Sequence, residues 1–358
     1  MATVNEKLAD AAIEHSVDLI RYQNGVVRRV IALLNRTDKD LFEQLTAALQ
    51  RLPPEAFTVE RLDALLQSVR QLNARAYEQV RLGLEQDLRE LVIYEAGYQQ
   101  QLFQNTLPTV LQTTAINAGQ VYSAALARPF QGRLLSEWMN GLEAGKAAKV
   151  RDALRIGYVE NQTIDEMVRR IRGTKARQYQ DGILEITRRD AETVVRTAIN
   201  HTANHTRQKF YEANSDLIKG IKWLSTLDSK TSPVCRARDG VVYPVNSGPR
   251  PPAHLNCRSS TTSVLKSWKE LGIDLPDLPA STRASMDGQV PADLTYGEWL
   301  KGKDKTDPAL VDRILGPSRA KLFRAGMPVD RFVNKAGDVL NLDQLRARDA
   351  EYFKRAGL

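Results

Sequence analysis

Cysteine is almost missing from this sequence: 358 residues hold two, Cys235 and Cys257. Two are too few for a disulfide framework, so the question they raise is one of site chemistry. Long apolar runs are missing too. No stretch approaches the roughly 20 uninterrupted apolar residues of a membrane span. The opening MATVNEKLADAAIEH has neither a basic n-region nor an apolar h-region. A chain neither inserted in a membrane nor secreted by a visible signal is expected, with no membrane partner. No G-x-x-x-x-G-K-[ST] loop and no G-x-G-x-x-G occurs, which argues against a nucleotide-driven motor. Internal repeats and low-complexity tracts are also absent.

Hydrophobic residues make up 42% and charged residues 26%, the balance of an ordinary folding chain, and the length suggests two or three domains. The charge is uneven. Residues 1–145 carry 14 Lys/Arg against 17 Asp/Glu, residues 146–270 carry 23 against 13, and residues 271–358 carry 14 against 13. Essentially all the positive excess lies in the middle third, which points either to an anionic partner or to a solvated basic face.

Leu8, Ala12, Leu19, Val27, Val30, Ile31 and Leu34 recur mostly at three-and-four spacing and predict a helix; a shorter one over 39–51 is stopped by Pro53 and Pro54. Thr58 is the expected N-cap of the next segment. There Leu62, Leu65, Val69, Leu72, Ala76, Val80, Leu84, Leu88, Leu91, Tyr98 and Leu102 predict one helix of about 45 residues, or two broken near Gly83 or Gly97. Further helices are expected over 109–158. Thr163 and Glu166 spell a capping box for a short helix closed by Gly173. A helix over 188–213 is polar on more than one face. The period then changes: residues 220–226 alternate like a strand, 241–243 follow the turn dipeptide Asp239-Gly240, and 259–265 are β-prone. Residues 246–252, with three prolines and a glycine, read as an irregular loop. An extended connector at Leu275 to Pro279 precedes helices over 296–301, over 308–315 and after Asp343. The expected fold is mainly α with a small α+β module: long N-terminal helices (1–145), basic central helices with a short antiparallel sheet and a Cys/His loop (146–270), and a helical C-terminal extension (271–358).

The densest chemistry is Cys235, His254 and Cys257, spaced Cys-x18-His-x2-Cys. Two thiolates and an imidazole suit tetrahedral zinc, but a closed structural site needs four ligands. Ser232 stands where a cysteine would complete a Cys-x2-Cys knuckle, leaving Asp228, Asp239, water or nothing for the fourth position. The same residues also read as buried reduced thiols packed near His254, or as a cysteine nucleophile with His254 as base in a hydrolytic or DNA-processing enzyme. His201 and His205 share a helix face, but the zinc-protease pattern needs Glu where Thr202 stands, so a polar face or an interface is the better reading. Arg169, Arg170, Arg172, Lys175 and Arg177, with Arg196, Arg207 and Lys209, are candidate contacts to the phosphates of double-stranded DNA. With only Tyr179 nearby as an aromatic, base stacking is not supported and binding would be sequence-independent.

Residues 164–171 (IDEMVRRI), 195–200 (VRTAIN), 222–228 (KWLSTLD), 235–240 (CRARDG) and 252–258 (PAHLNCR) follow in order and together resemble the phage Mu F-like minor head, or head morphogenesis, proteins. Ala198 replaces the acid usual in the second block, and Ser232 replaces the family's common first cysteine. Residues 296–300 (YGEWL), 315–319 (LGPSR), 322–326 (LFRAG) and 342–346 (LDQLR) resemble the C-terminal part of such proteins. The resemblance implies structural motif positions at Trp223, Asp228, Asp239, Gly240 and Arg258. It also implies a non-enzymatic virion protein, assembled in the host cytoplasm and placed in the head near the portal vertex. Its implied partners are the portal, other capsid or scaffolding proteins, packaged DNA and sibling copies, the long N-terminal helices being candidates for portal or self-association contacts.

Overall fold

The computed structural model describes residues 4–50, 59–108, 111–160, 162–272, 282–291 and 293–358. It is 67% helical with a small three-stranded antiparallel sheet, the mainly α architecture with an α+β module that the patterns predict. The Pro53-Pro54 stop, the Thr58 cap and the connector at 275–279 lie outside the described residues.

Two long helices open the chain, α1 (Val4–Gln50) and α2 (Val59–Thr106). Each is continuous, so the division of the first before residue 39 and the alternative break near Gly83 or Gly97 are corrected. The buried stripe runs on through Leu34, Leu41, Leu45 and Leu49, with Asp38 filling the turn between them. A lone glycine costs a helix interior only about 1 kcal/mol, which the packing of a long apolar stripe outweighs. Shorter helices follow: α3 (Ala118–Leu126), α4 (Leu135–Val159), α5 (Ile164–Arg172) and α6 (Ile183–Ala213). The α5 capping box is formed as read, with Glu166 reaching back to the Thr163 N–H at 2.7 Å. Gly182 lets the following loop fold back, because a Cβ there would stand 2.3 Å from the Arg172 carbonyl oxygen.

The sheet comprises β1 (Ile218–Leu224), β2 (Val242–Tyr243) and β3 (Ser260–Leu265), in the order β2-β1-β3. Between β1 and β2 lies a six-residue helix, α7 (Pro233–Arg238), which periodicity does not reveal. A hairpin of β4 (Thr282–Ser285) and β5 (Gly288–Pro291) comes next. The chain ends in α8 (Tyr296–Thr306), α9 (Pro308–Leu315), α10 (Pro317–Arg324), α11 (Leu342–Arg348) and α12 (Ala350–Ala356).

These elements form two compact units that do not follow the three sequential segments read from the sequence. One comprises residues 1–19, 94–121 and 203–358, the other residues 20–93 and 122–202. The first has a core of Leu8, Phe103, Phe210, Tyr211, Ile221 and Trp268, and a C-terminal core around Tyr296, Trp299, Phe323, Phe332 and Phe353. The second packs Leu41, Leu45 and Leu66 against Val150, Leu154, Met167 and Ile171. Inside it, Asp38 is buried between Lys146 and Arg188.

Candidate functional site

The Cys/His module begins at the end of β1. Trp223 is fully buried; its indole N–H donates to Ser225 Oγ at 3.0 Å. Ser225 donates its hydroxyl to the Cys235 carbonyl at 2.8 Å and its N–H to Asp239 at 2.7 Å. Trp223, Cys235 and Cys257 form a small core, with Val234, Tyr243 and Ala253 against it.

Cys235 is held on α7. Ser232 is the N-cap of that helix, accepting from the Cys235 N–H at 3.4 Å, and Pro233 takes the first helical position, where no N–H is needed. Ser232 therefore has a local role of its own, and its hydroxyl also lies 2.8 Å from His254 Nε2. The loop after β2 returns the other two residues: Asn256 takes φ 58°, and the Cys257 N–H reaches the His254 carbonyl at 3.2 Å.

The two sulfurs are 3.7 Å apart, and Cys235 Sγ is 3.4 Å from His254 Nε2. A tetrahedral zinc with Zn–S about 2.3 Å and Zn–N about 2.0–2.1 Å would set these donors about 3.8 Å and about 3.6 Å apart. His254 Nδ1 lies 2.7 Å from the Leu255 carbonyl, so with a proton on Nδ1 the Nε2 lone pair is available to a metal. The donor set thus fits three positions of a tetrahedral zinc site. The hydrogen bond between the thiols dominates their ionisation. It holds Cys257 well below an ordinary thiol, with His254 assisting against the opposing effect of burial, and it pushes Cys235 up.

The carboxylates offered for the fourth position are engaged elsewhere, which corrects the reading of Asp228 or Asp239 as a ligand. Asp228 binds Arg258 through two contacts of 2.6 and 3.0 Å and accepts from the N–H groups of Lys230 and Thr231. Burial alone would raise its pKa, but Arg258 overcomes this and holds it below the usual value. Asp239 accepts from the N–H of Ser225 and, at 2.8 Å, from that of Tyr296. Gly240, at φ 79°, occupies the turn closed by the Val241 N–H on the Arg238 carbonyl. Among the described residues, the His, Cys, Asp and Glu group able to hold a metal is Cys235, His254 and Cys257.

Arg169, Arg172, Lys175 and Arg177 are exposed. Residues 167–180 contain five basic residues and no acidic one. Arg170 is half-covered and 3.4 Å from Glu160, and Arg172 also lies over the rings of Phe42 and Tyr179. Arg196 and Lys209 are matched one turn away by Glu192 and Glu212. Arg207 must be corrected: it is 1% exposed, 3.6 Å from Glu95 and bonded to Ser260 and Thr261, so it cannot reach a phosphate. Glu95 and His15, which complete that cluster, were not singled out in the sequence.

His201 and His205 are both buried, so of the two readings, a polar helix face or an interface, a solvent-facing polar face is the one that does not hold. His201 lies 3.3 Å from the Ala125 carbonyl and beside the Phe130 ring. Burial lowers its pKa to about 4. Between this value and that of an unfolded histidine, the unfolded chain takes up a proton that the folded chain refuses. Stability is therefore unaffected above about pH 6.5 and falls on acidification toward pH 4, by about 1.4 kcal/mol per pH unit and about 3 kcal/mol in all. In His201→Asn this slope should be absent when denaturant midpoints are compared across that window; an equal slope in both proteins would refute the assignment.

Among the described residues no helix is long and apolar enough to cross a membrane. Neither a curated protein nor a solved structure matches the chain. Residues 147–262 match the family model of the Phage Mu protein F like proteins, a segment that takes in α5, α6, β1, β2, the start of β3 and the Cys/His module. That segment, 116 of the 358 residues, is what the chain shares with the phage Mu F-like proteins.

Proposed function

We propose that this protein is a minor head morphogenesis protein of a tailed bacteriophage, structural and without turnover of its own. It is assembled in the host cytoplasm and placed in the head near the portal vertex. The observation that carries this reading is the match of residues 147–262 to the Mu F-like family. The partners it names are the portal protein, other capsid or scaffolding proteins, sibling copies and packaged double-stranded DNA. Supporting the first of these, α1 and α2 contain 47 and 48 residues, each about 70 Å long, and α2 exposes Leu82 and Ile93. Zinc is the cofactor proposed for Cys235, His254 and Cys257, as a tie between α7 and the returning loop.

DNA contact is proposed for the exposed set of Arg169, Arg172, Lys175 and Arg177, whose charges suit phosphate oxygens without base readout. The full-length protein should bind a duplex independently of sequence and weaken steeply with salt. Arg169→Ala/Lys175→Ala/Arg177→Ala should make the log–log salt slope shallower by about 2–3. Arg172 is left in place because its guanidinium packs on two rings. An unchanged slope, or binding that stays flat with salt, would sink the proposed surface.

A further inference from the structure

We propose that Cys235 and Cys257 are a redox-modifiable pair, joining in an intrachain disulfide under oxidising conditions and thereby taking the place of a metal as the tie between α7 and the loop that returns to β3. The sulfurs already face each other at 3.7 Å, and a disulfide needs them at about 2.05 Å. The approach can come from the loop side. Residues 246–259 carry no helix or strand, and Leu255 and Asn256, next to His254, are exposed. Cys235, in contrast, is anchored by its capped helix and by the Ser225 hydroxyl on its carbonyl. Cys235 sits on a capped helix and Cys257 on irregular backbone outside the ladder of β3, so the remaining approach of the sulfurs can be taken up without breaking the pairing of the sheet.

The oxidant is a low-molecular-weight disulfide such as glutathione disulfide. One cysteine thiolate attacks a sulfur of that disulfide, forming a mixed disulfide and releasing one small thiol. The second cysteine then attacks the protein-side sulfur of the mixed disulfide and expels the other small thiol. The two electrons lost by the pair reduce the oxidant, and its two thiols carry away the two protons. Both metal-ligating sulfurs are consumed, so the disulfide and zinc exclude each other. Thiols persist in a reducing cytoplasm and pair outside it, so the module would change from one tie to the other when the chain leaves the cell that made it. The pairing itself does not depend on the zinc reading; only the competition does.

Full-length protein stripped of metal by a chelator, and the same protein reloaded with one equivalent of zinc, are incubated with glutathione disulfide. In the metal-free protein, thiols titrated after denaturation should fall from two to none. The intact mass should drop by two hydrogen atoms, and a peptide linking Cys235 to Cys257 should appear. Zinc should slow the reaction at least several-fold, and oxidation should release it. Two thiols surviving in the metal-free protein, or only glutathione adducts and intermolecular links, would overturn the proposal. An internal disulfide forming equally fast in both samples supports the pairing and counts against zinc at this site.

Discussion

Arg207→Met is expected to lower folding stability by about 3–5 kcal/mol, the usual cost of removing one partner from a buried ion pair. The side chain lies inside the unit formed by residues 1–19, 94–121 and 203–358. It is 3.6 Å from Glu95, which is itself fully buried and 2.5 Å from His15 Nε2. Its other contacts tie α6 to β3 through Ser260 and Thr261. Methionine fills much of the volume but removes the guanidinium that faces the buried Glu95 carboxylate. The penalty is thus mainly that of a stranded charge rather than of lost packing. Adding Glu95→Gln to Arg207→Met should return part of the loss, because the stranded charge is then gone. Denaturant midpoints at unchanged m-value read this out. A single variant within about 1 kcal/mol of the parent would show that the pair is not the tie described here.

Asp239→Ala should cost about 4 kcal/mol, since a carboxylate bond to a backbone N–H contributes about 1.5–3 kcal/mol and Asp239 makes two. One oxygen accepts from Ser225 just after β1, the other from Tyr296 at the first turn of α8. Alanine would leave both donors buried without an acceptor. The loss should appear first as faster amide exchange at Ser225 and Tyr296, and then as a lower midpoint for the unit. Asp239→Asn retains one acceptor oxygen and should lose about half as much. Should both variants fold with parental midpoints and parental exchange at those two amides, the bridging role is wrong. The same residue explains why Tyr296, in a block recognised far along the sequence, belongs with the module: its hydroxyl also donates to the Asp228 carbonyl at 2.8 Å.

Some of the buried polar network carries a signal in the sequence. Glu95 falls on the stripe of Leu88, Leu91 and Phe103, all buried, and Asp38 falls between Leu34 and Leu41 in the same way. A carboxylate on an apolar stripe announces a buried partner but does not identify it. The partners, Arg207 for one and Lys146 with Arg188 for the other, come from helices distant in sequence. On α6 the opposite error arises: Thr197, Asn200, His201, Thr206 and Arg207 look solvated and are buried, where partners such as the Ala125 carbonyl for His201 and Ser260 for Arg207 take the place of water.

By itself the sequence determined what local chemistry decides. The α5 capping box, the start of α9 at Pro308, the Asp239-Gly240 turn and the β-prone runs that become β1 and β3 each depend on residues within a few positions of one another. The ordered blocks that mark the Mu F-like segment were legible for the same reason, as strings of neighbours. Only the tertiary structure decided which long-range partners those strings meet. It ran α1 and α2 on as single helices, divided the chain into discontinuous units, and drew Asp228 to Arg258 and Asp239 to Tyr296, away from the sulfurs. It also brought Cys257 to within 3.7 Å of Cys235 across an irregular loop. A free carboxylate and an engaged one are the same letter in sequence, and the charge or hydrogen-bond donor that distinguishes them arrives only when distant elements pack.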